Sequence, residues 1–384
     1  MIKVVICDGA GTIGLPTPDP HMRALVSSLD GRGFQLAVAS NQSKTAIKRA
    51  FAAAGLPLPR LVVTRGEIGQ PKPSPAFVST ICRLARVMPN EVVFLGDDDK
   101  TDILCAINSK VLPIAALYSN PHMKYGLPVD HPKAFFQDYL STFGSQPPPY
   151  FGWTCNAPAE QIDVRALVYD HTAMTSDLKT ILKDHQDVRL GSRGVSLRAL
   201  LFHYFVSQLY FSGLVAEIDW VAVYPGHEIG TANVTLQGFS ETLAQVFREK
   251  FLVDLLLRHT TAPTSHKTTN RQVFDQFRTI CVSPAYRAKI VGKTVLVVDD
   301  FTTTGYSLET ARQMLIAAGA KRVIGVAIAK YRNDFARVRI RRPWNPFAPF
   351  ALSSGDIETI SMPVSVNHAA DKYLVGNILP VYQR

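Results

Sequence analysis

At 384 residues, 47% hydrophobic and 19% charged, the chain is long enough for two or three separate cores and is excluded from the disordered class. Its net charge of +10 favours anionic partners, and polyphosphorylated metabolites and nucleic acid both qualify. Five cysteines, Cys7, Cys82, Cys105, Cys155 and Cys281, fall with no C-x-x-C pair, which argues for a reducing compartment and against a zinc site.

The N-terminus enters a strand at once, so no signal peptide is expected. The strand Ile2–Cys7 delivers Asp8 into a Gly-rich turn. A helix Met22–Gly31 follows, then a strand Phe34–Ala39 ending on Ser40 and Asn41, a helix Lys44–Ala54 and a strand Leu61–Thr64. The loop GQPKPSP places Lys72 between prolines. A helix Pro75–Val87, a strand Val92–Leu95, the acidic run GDDDKTDI and a last strand Val111–Leu117 complete this half. Alternating strands and helices predict a doubly wound parallel sheet. Every polar cluster follows a strand, where such a sheet places its ligand. Asp8 suits a carboxylate nucleophile and Lys72 the cation that lowers phosphate repulsion. Asp97 and Asp102 can hold Mg2+ against Asp8, and Ser40 with Asn41 can take phosphate oxygens.

In this order and spacing, DGAGT, ASN, KPSP and GDDDKTDI resemble the haloacid dehalogenase (HAD) superfamily over nearly all of residues 1–120. Phosphatases of that superfamily usually read D-x-D-G-T, with the second Asp as general acid and base. Here that position is Ala10. The phosphonoacetaldehyde hydrolase branch also has Ala there but relies on a cap-domain lysine. The intervals from Asp8 to Ser40 and from Asn41 to Lys72 are too short for either usual cap. Three readings stay open: hydrolysis of esters with good leaving groups, phosphate binding without turnover, and a structural role.

GSQPPPYFGW, from Gly144 to Trp153, cannot be a helix or a central strand and is expected as a stiff spacer after a helix Pro132–Phe143. The expected domains are therefore 1–143, a linker 144–160, a second domain 161–332 and a basic extension 333–384. Beyond the linker come a strand in VRALVYDH, a helix in MTSDLKTILKDH and an apolar helix in Leu197–Val215. That apolar window is too polar to span a membrane. A strand Trp220–Tyr224 then runs into a Pro-Gly turn with Pro225, Gly226 and His227, a helix Phe239–Phe247 and a strand Leu252–Leu257. The polar, basic stretch His259–Val282 carries Lys267 and Arg271.

VLVVDDFTTTG, Val295 to Gly305, reads as a buried parallel strand, a loop and a helix start. Thr302, Thr303, Thr304, Gly305 and Ser307, with the helix N-terminus, can seat one phosphate. Asp299 and Asp300 repel that phosphate and suit vicinal hydroxyls and a Mg2+ ion. Phosphate beside diol and metal matches a ribose 5-phosphate. The alternative is an ordinary strand–turn–helix with two exposed acids.

The stretch resembles the phosphoribosyl pyrophosphate (PRPP) motif of type I phosphoribosyltransferases, and Ile162–Lys330 looks like the ComF-type branch. That resemblance implies that Asp299 and Asp300 act at the ribose and metal, and that the Gly226 and His227 amides face the diphosphate. It further implies that Lys267 and Arg271 contact phosphate from a mobile loop. The branch's Cys cluster is missing, and its Arg- and Asn-rich patch is reduced to Asn270 and Arg271.

In the tail, Arg337, Arg339, Arg341 and Arg342 suit either a phosphate chain or a strand with one solvated face. The sequence as a whole implies two α/β domains: a capless HAD-like domain, then a type I phosphoribosyltransferase fold. The expected activity is PRPP-dependent transfer of ribose 5-phosphate to or from a base-like acceptor. A Mg2+-dependent phosphohydrolase-like domain acts beside it, in the cytoplasm, with catalysis by Asp8, Lys72, Asp299 and Asp300. The expected partners are PRPP or a nucleotide and a phosphorylated small molecule, with nucleic acid less favoured, no membrane, and self-association compatible. The rival from another class is a PRPP- or nucleotide-sensing protein, in DNA uptake or a stress response, that keeps both folds without turnover.

Overall fold

A computed structural model describes the chain except residues 10, 30–32, 145–150, 156–162, 170–174, 193, 263–272, 332–334, 363, 367–368 and 384. Its contacts divide into two units: Met1–Pro148 with Leu209–Ala216 and Gln245–Arg248, and the remainder from Pro149 to Arg384.

The first unit is built on six strands: β1 (Val4–Cys7), β2 (Gln35–Ser40), β3 (Leu61–Thr64), β4 (Val92–Gly96), β5 (Leu112–Ala116) and β6 (Leu127–Val129). They lie in the order β3-β2-β1-β4-β5-β6 and every pairing is parallel. The sequence expectation ended the sheet at Val111–Leu117, yet β6 adds a further strand. Three residues around Pro128 are too short to show a hydrophobic period. The β1 and β4 runs VVIC and VVFLG are wholly buried, as a sheet covered on both faces requires. The helices Lys44–Ala53 and Ala76–Ala85 bury Ile47 and Phe51, and Phe77, Val78, Ile81 and Cys82.

Among the described residues the second unit holds thirteen strands. They are β7 (Phe151–Cys155), β8 (Asp163–Tyr169), β9 (Arg189–Leu190), β10 (Val195–Ser196), β11 (Trp220–Val223), β12 (Lys250–Phe251), β13 (Leu256–Arg258), β14 (Ile280–Val282), β15 (Thr294–Thr302), β16 (Arg322–Lys330), β17 (Phe335–Ile340), β18 (Ile357–Met362) and β19 (Val364–Val366). Seven form one sheet in the order β12-β11-β15-β16-β8-β7-β19. Its first five strands are parallel, and β7 and β19 add an antiparallel edge. The pairs β9–β10, β13–β14 and β17–β18 are separate antiparallel ribbons.

Three expectations change here. The expected linker 144–160 contains β7, which lies between β8 and β19. The expected extension 333–384 supplies β17, β18 and β19 and belongs to the second unit. Of the expected strand Leu252–Leu257, Leu256 and Leu257 are extended in β13, while residues 252–255 turn between β12 and β13, with the Leu255 N–H donating to the Leu252 carbonyl at 3.4 Å. The helix Leu197–Phe211 buries almost every side chain, so it has no polar face. No helix among the described residues is long and apolar enough to cross a membrane.

Candidate active sites

In the first sheet, β1 connects onward to β2 on one side, while its other neighbour is β4. The carboxyl ends of β1 and β4 therefore flank the crevice where strand order reverses, the usual ligand position of an open α/β sheet. Asp8 leaves β1 and Asp97 leaves β4 at this point. Carboxylate oxygens of Asp8, Asp97 and Asp102 lie within 4.8 Å of one another. Asp102 comes from the wide helical turn Asp99–Ile103 and is buried. It approaches so closely that a Cβ on Gly96 would lie 2.3 Å from the Asp102 Cβ, so the last residue of β4 must be glycine.

Lys72 supplies the opposing charge. Its side chain is 2% exposed, and its Nζ donates to Asp8 Oδ1 at 2.7 Å and to Asp102 Oδ1. Burial opposes its charge, but Asp102 and Asp8 together hold its pKa above the ordinary ammonium value. Burial pushes the Asp102 carboxyl up to about 6, against the pull of Lys72. The Lys72 N–H donates to Asn41 Oδ1 at 2.7 Å, so Asn41 positions the lysine from the end of β2. Ser40 is buried, and its hydroxyl accepts from the Gln42 N–H at 3.2 Å.

The three consecutive acids have separate jobs. Asp97 accepts from the Thr12 hydroxyl at 3.0 Å and from Ser119 at 2.8 Å. Asp98 caps the next helical turn through the Lys100 and Thr101 amides. Asp99 accepts from the Lys124 and Tyr125 amides. Ser119 escaped the sequence reading, since a lone hydroxyl 22 residues from Asp97 carries no local signal, and Thr12, the last residue of DGAGT, was not singled out. Three carboxylates with no thiolate or imidazole form a hard oxygen donor set that fits Mg2+. Ala10 lies outside the described residues.

The second sheet reverses order between β11 and β15, and the two expected loops leave there. The acids were expected to open a loop. Instead β15 continues through them, and Asp299 and Thr302 pair with Ala327 and Lys330 of β16. The turn itself is only Thr303–Gly305, ahead of the helix Tyr306–Ala317. Gly305 takes φ +81° as the helix cap, and a Cβ there would lie 2.2 Å from the Phe335 ring. The turn is held from two sides: Lys330 Nζ donates to the Thr303 carbonyl at 2.6 Å, and the Ala336 N–H to the Thr304 carbonyl at 2.9 Å. Thr302 is buried, Thr303 is exposed, and Thr304 and Ser307 are half-buried at the helix N-terminus, whose first amides have no acceptor within the helix.

Asp299 is buried, and its Oδ1 accepts from the Asp300 N–H at 2.9 Å. Asp300 is ion-paired to Lys183 at 2.8 Å, with Asn233 at 3.4 Å, and the Lys183 ammonium also lies 5.0 Å from the Phe301 ring centre. Lys183 and Asn233 come from segments over sixty residues upstream, beyond the reach of a motif.

One amide expected to face a diphosphate is already used. The Gly226 N–H donates to the Thr231 carbonyl at 2.9 Å, because Pro225 and Ala232 pair antiparallel and close the loop on itself. His227 is exposed, 3.6 Å from Glu228. Arg258 escaped the sequence reading. This residue is buried, and its Nε donates to the Gly226 carbonyl at 2.8 Å while it also bonds Thr279. Lys267 and Arg271 lie outside the described residues.

Two segments of the chain match known protein families. Residues 14–116 match the family model described as haloacid dehalogenase-like hydrolase. Residues 238–341 match the phosphoribosyl transferase domain. The chain thus carries a HAD-like hydrolase domain and a phosphoribosyltransferase domain, both α/β, although neither match spans half of it. No curated protein matches the chain. Among solved structures it is similar to an uncharacterized protein from Listeria monocytogenes serotype 4b, at 16% identity over 35% of this chain and 96% of that one, with a TM-score of 0.31. A HAD phosphatase from Thermococcus onnurineus shares 19% identity over 31% of this chain and 57% of its own, with a TM-score of 0.29. A 2-haloacid dehalogenase from Pseudomonas syringae pv. Tomato DC3000 shares 17% over 31% and 51%, with a TM-score of 0.27. The chain spans only about half the length of the latter two.

Proposed function

We propose that the second domain transfers ribose 5-phosphate between PRPP and a base-like acceptor, and that the first is a phosphohydrolase acting on a product of that step. The observation that carries this reading is the end of β15. There Asp299 and Asp300 stand beside a three-residue turn capped by Gly305, at the point where strand order reverses. The turn Thr303–Gly305, with Thr302 behind it and Ser307 in the first helical turn, takes the 5-phosphate. Asp299 and Asp300 hold the ribose hydroxyls. The charge that Lys183 now balances on Asp300 is then shared with a Mg2+–PRPP complex.

In the first domain Asp8 attacks phosphorus, while Lys72 offsets the charge on the phosphoryl oxygens from its seat between Asp8 and Asp102. Asp8, Asp97 and Asp102 hold Mg2+, which when bound neutralises phosphoryl charge. With alanine at position 10, no carboxylic acid at that position protonates a departing alkoxide. The substrates favoured are acyl and aryl phosphates, whose leaving groups need no proton.

The test is pyrophosphate release from PRPP and Mg2+ across a panel of nucleobases, followed by phosphorus NMR. Acceptor-dependent release supports transfer. PRPP binding with no release under any acceptor would replace it with the sensing alternative, which the alanine at position 10 favours.

A further inference from the structure

The four tail arginines single out a different place. β17 carries Arg337 and Arg339 one strand period apart, while Val338 between them is 1% exposed. Alternation therefore puts both arginines on the outer face of the ribbon. They line a cleft of about 690 Å3 together with Arg312, Lys321, Arg322 and Glu217. The cleft runs away from the phosphate turn, starting at Arg337, the residue after Ala336, whose N–H anchors that turn. Arg312 and Ile316 lie toward the end of the helix that begins at Tyr306, and Ile316 is about 15 Å along it. Lys321 and Arg322 lie at the start of β16, whose far end, Lys330, holds the turn. Ile316, Lys321 and Arg322 thus sit at the far ends of the helix and strand whose other ends carry the PRPP-motif turn.

We infer that this cleft is a second anion site, which takes a nucleoside polyphosphate. Five cations line it, and among the described lining residues Glu217 is the one carboxylate. Glu217 engages Arg322, and Glu309 fixes Arg312 through two bonds at 2.6 and 2.7 Å. Arg312 is therefore presented in a set orientation rather than left mobile. Arg339 reaches Glu358 only at 3.7 Å, with both side chains exposed, a contact that a phosphate readily outcompetes. The wall also includes Ile316, 40% exposed. That apolar surface suits the face of a base, and the volume is that of a small-molecule site.

A nucleic-acid backbone fits less well, because it needs the row of cations to continue. The row stops at Arg342, which is clamped to Asp356 at 2.7 and 3.0 Å, while Arg341 shares the Glu358 carboxylate with Arg339, at 3.8 Å.

The full chain is titrated calorimetrically with ATP, inorganic triphosphate and a short DNA duplex. The cleft predicts that ATP binds more tightly than triphosphate. It also predicts that Arg337→Gln combined with Arg339→Gln weakens ATP by at least ~tenfold while circular dichroism is unchanged. Excess PRPP with Mg2+ leaves ATP bound. Unaltered ATP affinity in the double variant overturns the site, as does displacement of ATP by PRPP. Lys321→Gln, a milder change at the rim, must weaken ATP in the same direction, or the assignment fails. Equal affinity for ATP and triphosphate removes the apolar seat for a base. Binding of DNA alone, sensitive to the same variants, removes the small-ligand class.

Discussion

The acidic clusters of the two domains balance their charge in opposite ways. Around Asp8 the counter-charge is internal: Lys72 is 2% exposed and wedged between two carboxylates. Around Asp300 it comes from Lys183, whose side chain is 49% exposed. A buried cation cannot leave without stranding its partners, so the first site keeps its geometry whether or not substrate is bound. A surface cation can swing into water at little cost, so the second site can exchange its protein partner for a ligand's metal. The first is built for repeated handling of one group, and the second for exchanging partners.

The sharpest break in that contrast is Asp8→Asn. It should remove all turnover of acetyl phosphate and p-nitrophenyl phosphate, in the parent and in Ala10→Asp alike. Ala10→Asp alone should raise sugar phosphate turnover, each tenfold gain corresponding to ~1.4 kcal/mol of barrier. Activity surviving in Asp8→Asn means that another group is the nucleophile. Next in size is Lys72→Met, which strands Asp8 and Asp102 and should cost about 3–5 kcal/mol of stability. Urea melts will show this, and Mg2+ should restore part of the loss. A midpoint equal to the parent's would mean that the buried cation is not what holds the acids together.

For the second site, PRPP with Mg2+ should stabilise the chain by about 2.7 kcal/mol at a hundredfold excess over Kd, read as a rise in Tm. Asp299→Asn with Asp300→Asn should abolish that rise. An undiminished shift would place PRPP elsewhere. The smallest effect belongs to Lys183→Ala, which should change stability by less than ~1 kcal/mol, as exposed pairs do. It should nevertheless alter PRPP affinity measured by titration. A large loss of stability there would erase the difference between the two sites.

Much of this was legible in the sequence, because the informative signals are short-range. Strand runs such as VVFL and VLVV show in any window, and Asp8, Asp97 and Asp299 sit where those runs stop. What escaped depends on distance along the chain. β7 pairs with β19 over two hundred residues away, and Phe335 covers Gly305 from a hairpin that looked like an appendix. Lys183 reaches Asp300 across 117 positions. Local pattern also misjudged loops that close on themselves. The Pro-Gly turn suggested open amides, yet the pairing of Pro225 with Ala232 uses the Gly226 N–H.

The tail hairpin sets a rule for cutting the gene. A fragment ending at Lys330 keeps every residue of the Asp299–Gly305 stretch, yet loses the ring that covers Gly305 and the Ala336 amide that anchors the Thr304 carbonyl. It also leaves one flank of β7 unpaired, because β19 comes later still. Such a fragment exposes a strand edge open to pairing with its own copies. Expression trials that stop at Lys330 should therefore yield aggregates, whereas those extending past Val366 keep β7 paired on both sides.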